Sequence, residues 1–218
     1  MHAGDSASGL CGNGNSAMNA PLASDSGDSL RRSLAVLVGC ACAISLITFG
    51  LRSIFGLFTD PVVQGQGWSR EVFALAIAVQ NLFWGIGQPF AGALVDRFGP
   101  VRPLAAGGVL YALGIAVMAV APSPLGLQLS AGVLVGLGMS GASYITVLSA
   151  LGRLVPEESR SWALGLCTAA GSLGQFVFAP VGQAFIAAYG WQHAALLLAG
   201  FVALVPLLAV GWVFTLAG

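Results

Sequence analysis

Residues 92–102 read GALVDRFGPVR. One acid and two arginines stand in a Gly-Pro turn between two long apolar runs, the first ending at Val95 and the second beginning near Pro103. A turn this polar and this short, between segments long enough to cross a bilayer, reads as a tight loop on one membrane face. That reading makes the flanking runs helices and the chain a membrane protein.

Composition agrees with the loop. Of 218 residues, 57% are hydrophobic and 7% charged, against roughly 25% charged in an ordinary soluble domain. The mean hydropathy is +0.88. A globule of this size still exposes a large share of its residues, so water is the wrong solvent and the lipid bilayer the right one. The formal net charge is zero, which removes the electrostatic case for nucleic acid. Every basic residue is arginine. Cys11, Cys40, Cys42 and Cys167 have no framework spacing, so neither a disulfide nor a metal site is expected. No Gly-rich loop with Lys-Ser/Thr is present, which leaves phosphate-driven pumping without support, and no cofactor is expected.

Residues 1–32 form a Gly/Ser/Asn/Ala/Asp tail without apolar periodicity, predicted to be a disordered cytoplasmic segment. Arg31-Arg32 and Leu37-Val38-Gly39-Cys40 imitate a twin-arginine signal and a lipoprotein box, but the apolar run continues past Cys40 and further spans follow. Residues 33–218 are read as one transmembrane domain. Six runs, approximately 34–58, 72–95, 104–120, 125–151, 162–188 and 194–216, meet the length needed to span a hydrocarbon core, roughly 20 residues. With the tail inside, Arg31, Arg32, Arg97, Arg102, Arg153 and Arg160 are cytoplasmic and Arg70 is outside. This bias places both termini in the cytoplasm.

Four runs carry polar stripes and two do not. Ser45, Thr48, Arg52 and Thr59 share a face of the first helix; Gln80, Trp84 and Gln88 follow at i,i+4 on the second, with Asn81 beside them. Ser140 and Tyr144 lie on the fourth, and Thr168, Ser172, Gln175 and Gln183 on the fifth. Because polar groups are costly in hydrocarbon, helices one, two, four and five are expected around a cavity, with three and six outside. The competing reading is that these groups only join helices to one another. Pro89 and Pro180 fall at matching places in helices two and five, as expected of helix kinks in two inverted three-helix repeats.

On these residues the chain resembles the major facilitator superfamily. Gly92, Asp96, Arg97, Gly99 and Arg102 match the family's loop motif between helices two and three, while Pro100 stands where the family often has Arg or Lys. The segment RSIFGLF…GWSREVFALAIAVQNLFWG, residues 52–85, looks like the monocarboxylate and oxalate/formate branch. Ala179-Pro180-Val181-Gly182 matches the family's helix-five Gly-Pro motif approximately, with Ala for its first glycine. The resemblance implies twelve helices in two halves, of which these six are the N-terminal one. A second six-helix half or another copy is therefore an expected partner. It also implies alternating access, a small organic anion as substrate, proton coupling in many members, a plasma-membrane location, and a loop whose Asp and Arg latch helix ends as the halves rock.

The candidate substrate residues are Arg52, Gln80, Asn81, Trp84, Ser140, Tyr144 and Gln175. Arg52 is the sharpest, as the one arginine within a span; its alternatives are a charge-assisted fork to a carboxylate or snorkelling to the interface. No acid lies well inside a run, so a titrating group for proton coupling is expected elsewhere. Two other readings compete: an assembly half-chain with no transport of its own, and an intramembrane serine protease. The second rests on Gly138-Met139-Ser140-Gly141 with His193, although His193 stands at the mouth of its helix while the serine is near mid-span.

Overall fold

The structure, a computed structural model, describes the backbone of residues 20–217 and the side chains of 34–211. Most of the predicted tail lies outside the described residues. Helix α1 covers Ala20–Ser53, so helical backbone reaches back into the stretch assigned to that tail. Among the described residues every regular element is helical. After α1 come a 3₁₀ turn at Phe55–Phe58, α2 (Thr59–Gln66), α3 (Arg70–Phe98), α4 (Val101–Val120), α5 (Pro124–Leu127), a π-helical turn at Gln128–Leu134, α6 (Val135–Gly141), α7 (Tyr144–Leu154) and α8 (Glu157–Ala217). Among the described residues, five helical stretches are long and apolar enough to cross a membrane.

Three glycines punctuate the chain where only a residue without Cβ sits easily. Gly67, Gly99 and Gly190 have φ of 68°, 79° and 77°. Gly99 closes α3 with its N–H bonded to the Val95 carbonyl at 3.0 Å, making the turn expected from GALVDRFGPVR. Gly190 interrupts α8. The chain folds back there: Phe178 before it and Phe201 after it meet edge to face, with ring centroids 5.8 Å apart. Residues 157–189 pack on α1, where a Cβ on Gly50 would lie 2.7 Å from the Gly174 carbonyl oxygen. Residues 191–211 pack on α4, where a Cβ on Gly108 would lie 2.9 Å from Pro206. Helices approach this closely through small residues because lipid provides no hydrophobic drive between them.

The fourth apolar run is not one helix. Its α-helix ends at Gly141, Ala142 leaves helical geometry with ψ of 32°, and Ser143 opens α7 by accepting the Thr146 N–H at 3.1 Å. Pro89 and Pro180, by contrast, stand inside continuous helix. Fully buried Ile44, Leu51, Leu104, Leu151 and Leu198 fill the core between α1, α4, α7 and α8. Leu82, Ile86 and Phe90, spaced along one face of α3, are half or more exposed, a surface suited to hydrocarbon or another helix.

Candidate functional site

The last turn of α1 carries Arg52 toward α3. Its Nη2 donates to Asn81 Oδ1 at 3.3 Å, and its guanidinium lies 4.2 Å from the centre of the Trp84 ring. Asn81 and Trp84 are three residues apart, so one face of α3 meets the cation with an acceptor and an aromatic surface. Neither partner is charged. Among the described residues the ion pairs are Asp60 with Arg70 and Asp96 with Arg153; Arg52 has no carboxylate. A cation left uncompensated between apolar helices is a strong attractor for an anion.

Two neighbouring cavities, of about 260 and 320 Å³, share Arg52 and Phe49. The first is walled by aromatic rings from four elements: Phe49 of α1, Trp84 of α3, Tyr111 of α4 and Tyr144 of α7. Phe49 and Tyr144 are 5.5 Å apart between centroids, and the Tyr144 hydroxyl bonds Thr168 Oγ1 on α8. Ala142, Ser143 and Ile145 also line it, so the break between α6 and α7 opens on this space. The positive end of the α7 dipole adds to the field of Arg52 there. The second cavity is more polar, with Gln80, Asn81 and Gln175. Gln80 is buried and donates through Nε2 to Met139 Sδ at 3.1 Å.

The Major Facilitator Superfamily model matches residues 40–217. This chain belongs to that superfamily. Among curated proteins it is similar to monocarboxylate transporter 13 of Bos taurus, 33% identical over 157 residues, covering 70% of this chain and 35% of the relative. Monocarboxylate transporter 3 of Rattus norvegicus is 31% identical, over 77% of this chain and 34% of the relative. For monocarboxylate transporter 11 of Mus musculus the figures are 33%, 75% and 36%. The chain spans about a third of the length of each. These relatives are transporters and not enzymes.

Of the seven residues proposed from sequence, this superfamily member brings six to the paired cavities: Arg52, Trp84 and Tyr144 at the first, and Arg52 with Gln80, Asn81 and Gln175 at the second. Ser140 is elsewhere. It packs on Gly87 of α3, lines an apolar groove with Phe83 and Phe90, and its Oγ donates to the Leu137 carbonyl at 2.7 Å. It has no contact with His193, whose Nδ1 lies 3.2 Å from the Tyr189 carbonyl oxygen; the protease reading therefore lacks its nucleophile–base pair.

The polar stripes divide between two uses. Ser45 is buried and bonded to Cys167 Sγ at 2.9 Å, a helix-to-helix join, while Thr48 and Arg52 further along the same face reach the cavity. Helix α4, expected outside, contributes Tyr111 to the cavity wall. The signal was one polar side chain in an otherwise clean run, and periodicity cannot interpret a single residue. Met139 and the break at Ala142 had no sequence signal of their own.

The loop motif is occupied as follows. Asp96 pairs with Arg153 at the end of α7, Arg97 and Arg102 lie over the Phe98 ring at 5.4 and 5.9 Å, and Gly99 makes the turn. Gly92 is exposed, with open space where its Cβ would be.

Proposed function

We propose that this chain is the N-terminal, six-span half of a secondary active transporter that moves small organic anions, monocarboxylates or oxalate and formate, by alternating access. The observation that carries the reading is Arg52, an uncompensated cation held by Asn81 and Trp84 at the wall of two cavities. The curated relatives, named monocarboxylate transporters, support the solute class. The reversal at Gly190 supports counting residues 157–211 as two spans, which gives six and permits two inverted three-helix repeats. In this reading Arg52 forks to the carboxylate, Gln80, Asn81 and Gln175 supply further donors, and Trp84 and Tyr144 wall the site. Asp96, Arg97, Gly99 and Arg102 are half of a cytoplasmic gate. Pro89 and Pro180 mark the bending points of matching helices. The protein lies in the plasma membrane with both termini cytoplasmic. It works with a second six-helix half or another copy, and protons, where coupled, are carried outside these helices.

Proteoliposomes holding the chain, with and without a further six-helix half, should be tested for uptake of labelled lactate, pyruvate, oxalate and formate. Uptake that disappears in Arg52→Gln supports the reading. Uptake unchanged by that substitution overturns the role of Arg52, and absence of uptake in every arrangement supports a half-chain with an assembly role.

A further inference from the structure

Asn81 stands between Arg52 and its own helix. Its Nδ2 donates to the Ile77 carbonyl, one turn back along α3, at 2.8 Å. That bond fixes the amide with Oδ1 toward Arg52, whose Nη2 donates to it at 3.3 Å. The guanidinium also lies 4.2 Å from the Trp84 ring centre, so α3 offers the cation one neutral acceptor and one aromatic face. Aspartate has nearly the shape of asparagine, and in this place it would close an ion pair. The amide holds the guanidinium and leaves its charge whole. Around both cavities the titratable side chains are Arg52 of α1, Tyr111 of α4 and Tyr144 of α7. The other lining residues contribute amides, hydroxyls, an indole, a thioether and apolar groups. Arginine stays protonated and phenols stay neutral across the physiological range. The lining therefore carries one fixed positive charge and no group that changes charge near neutrality.

We infer that Asn81 is a positioning residue, setting Arg52 against Trp84 without neutralising it, so that the site takes an organic anion with its charge and without a proton. The inference rests on the transporter reading of the cavities. It adds to that reading what one side chain does and how the binding step depends on pH. A carboxylate in place of the amide would compete with the ligand for Arg52. The ligand would then bind best to the protonated acid, because an anion on Arg52 offsets the charge that keeps a neighbouring acid ionised. The choice of amide over acid at position 81 thus separates binding of an anion alone from binding of an anion together with a proton.

The test is isothermal calorimetry with pyruvate and lactate on the whole 218-residue chain in phosphatidylcholine nanodiscs. Titrations at mildly acidic pH, where both ligands are still ionised, in two buffers of different ionisation enthalpy count the protons taken up per ligand. The native chain is expected to bind with no proton uptake. Asn81→Asp should bind at least about tenfold more weakly at neutral pH, because the ligand must displace a charge-assisted bond, and should take up a measurable fraction of a proton as it binds. Asn81→Leu loses the hold on the guanidinium but keeps its charge free, so affinity should fall only several-fold, again without a proton. A residue that served packing alone would rank these variants the other way, since aspartate keeps the asparagine shape and leucine does not. Proton uptake by the native chain, unchanged affinity in Asn81→Leu, or Asn81→Asp binding as well as Asn81→Leu overturns the proposal and leaves the transporter reading intact. If the native chain binds neither ligand, both fail together. Should Asn81→Asp not yield folded protein, the native proton count and the Asn81→Leu affinity decide.

Discussion

Arg153 Nη2 lies 2.5 Å from Asp96 Oδ1, joining the last turn of α7 to the last turn of α3 beside the GALVDRFGPVR turn. Asp60 and Arg70 make the corresponding pair, at 2.7 Å, at the other end of α3. The two pairs are separated by nearly the whole helix, on the order of 39 Å at 1.5 Å per residue. A charge pair therefore fastens each end of α3 to a neighbouring element, and among the described residues its middle, which meets Arg52 through Asn81 and Trp84, has no acid–base pair. Asp96 and Arg153 are both more than half exposed, so their value to stability is small and salt-dependent.

Asp96→Asn is accordingly expected to change stability by less than about 1 kcal/mol, read as a small shift in thermal melting that shrinks further at high salt. Asp96→Arg should be worse, since it faces Arg153 with a like charge. The exchanged double variant Asp96→Arg with Arg153→Asp should recover most of the loss. A double variant no better than Asp96→Arg alone would show that the pairing has no energetic weight.

Arg52→Lys keeps a charge but loses the planar fork and the flat face that lies on Trp84. A cation–π contact of this kind is worth about 0.5–2 kcal/mol. Carboxylate affinity is therefore expected to fall by several-fold in Arg52→Lys and to vanish in Arg52→Gln. Calorimetry on the two variants separates charge from geometry, and equal affinities in both would remove charge from the account.

Gly138→Ala should destabilise the bundle. A Cβ there would lie 2.6 Å from the Tyr111 Cα, so α4 and α6 must separate, at a cost of roughly 1–3 kcal/mol. Gly85→Ala is the control, because open space surrounds its Cβ position and Ala is the better helix former by up to ~1 kcal/mol. Melting temperatures are expected to fall for the first and to hold or rise for the second.

At Gly190, φ of 77° with ψ of 163° is a region that side chains resist at a cost on the order of 1–3 kcal/mol. Gly190→Ala should lower the melting temperature by that strain. Cysteines introduced at Phe178 and Phe201, whose rings meet across the reversal, should crosslink readily in the native chain and less efficiently with Ala at 190. Equal crosslinking would mean that packing on α1 and α4, not the glycine, holds the two arms together.

Sequence alone determined the solvent and the helical class, and it singled out one cation within a span. Runs of apolar residues with 7% charge leave the bilayer as the one environment that accepts them, and within it every backbone group must be bonded inside a helix or a closed barrel. The polar turns then placed the ends of the helices, and Arg52 stood out because a charge inside a span is rare and costly. Tertiary structure decided which polar residues act together. Ser45 and Ser140 carry the same sequence signature as Thr48 and Tyr144, yet the first pair joins helices or bonds its own backbone, and the second lines the cavity with Arg52. A stripe records which face of a helix is polar; what that face meets depends on neighbours over a hundred residues away, as Cys167 is from Ser45. Tyr111 and the break at Ala142 became legible only in three dimensions. A lone hydroxyl in a clean run has no period, and the break at Ala142, where Ser143 caps the next helix, lies inside a run whose apolar character continues on both sides.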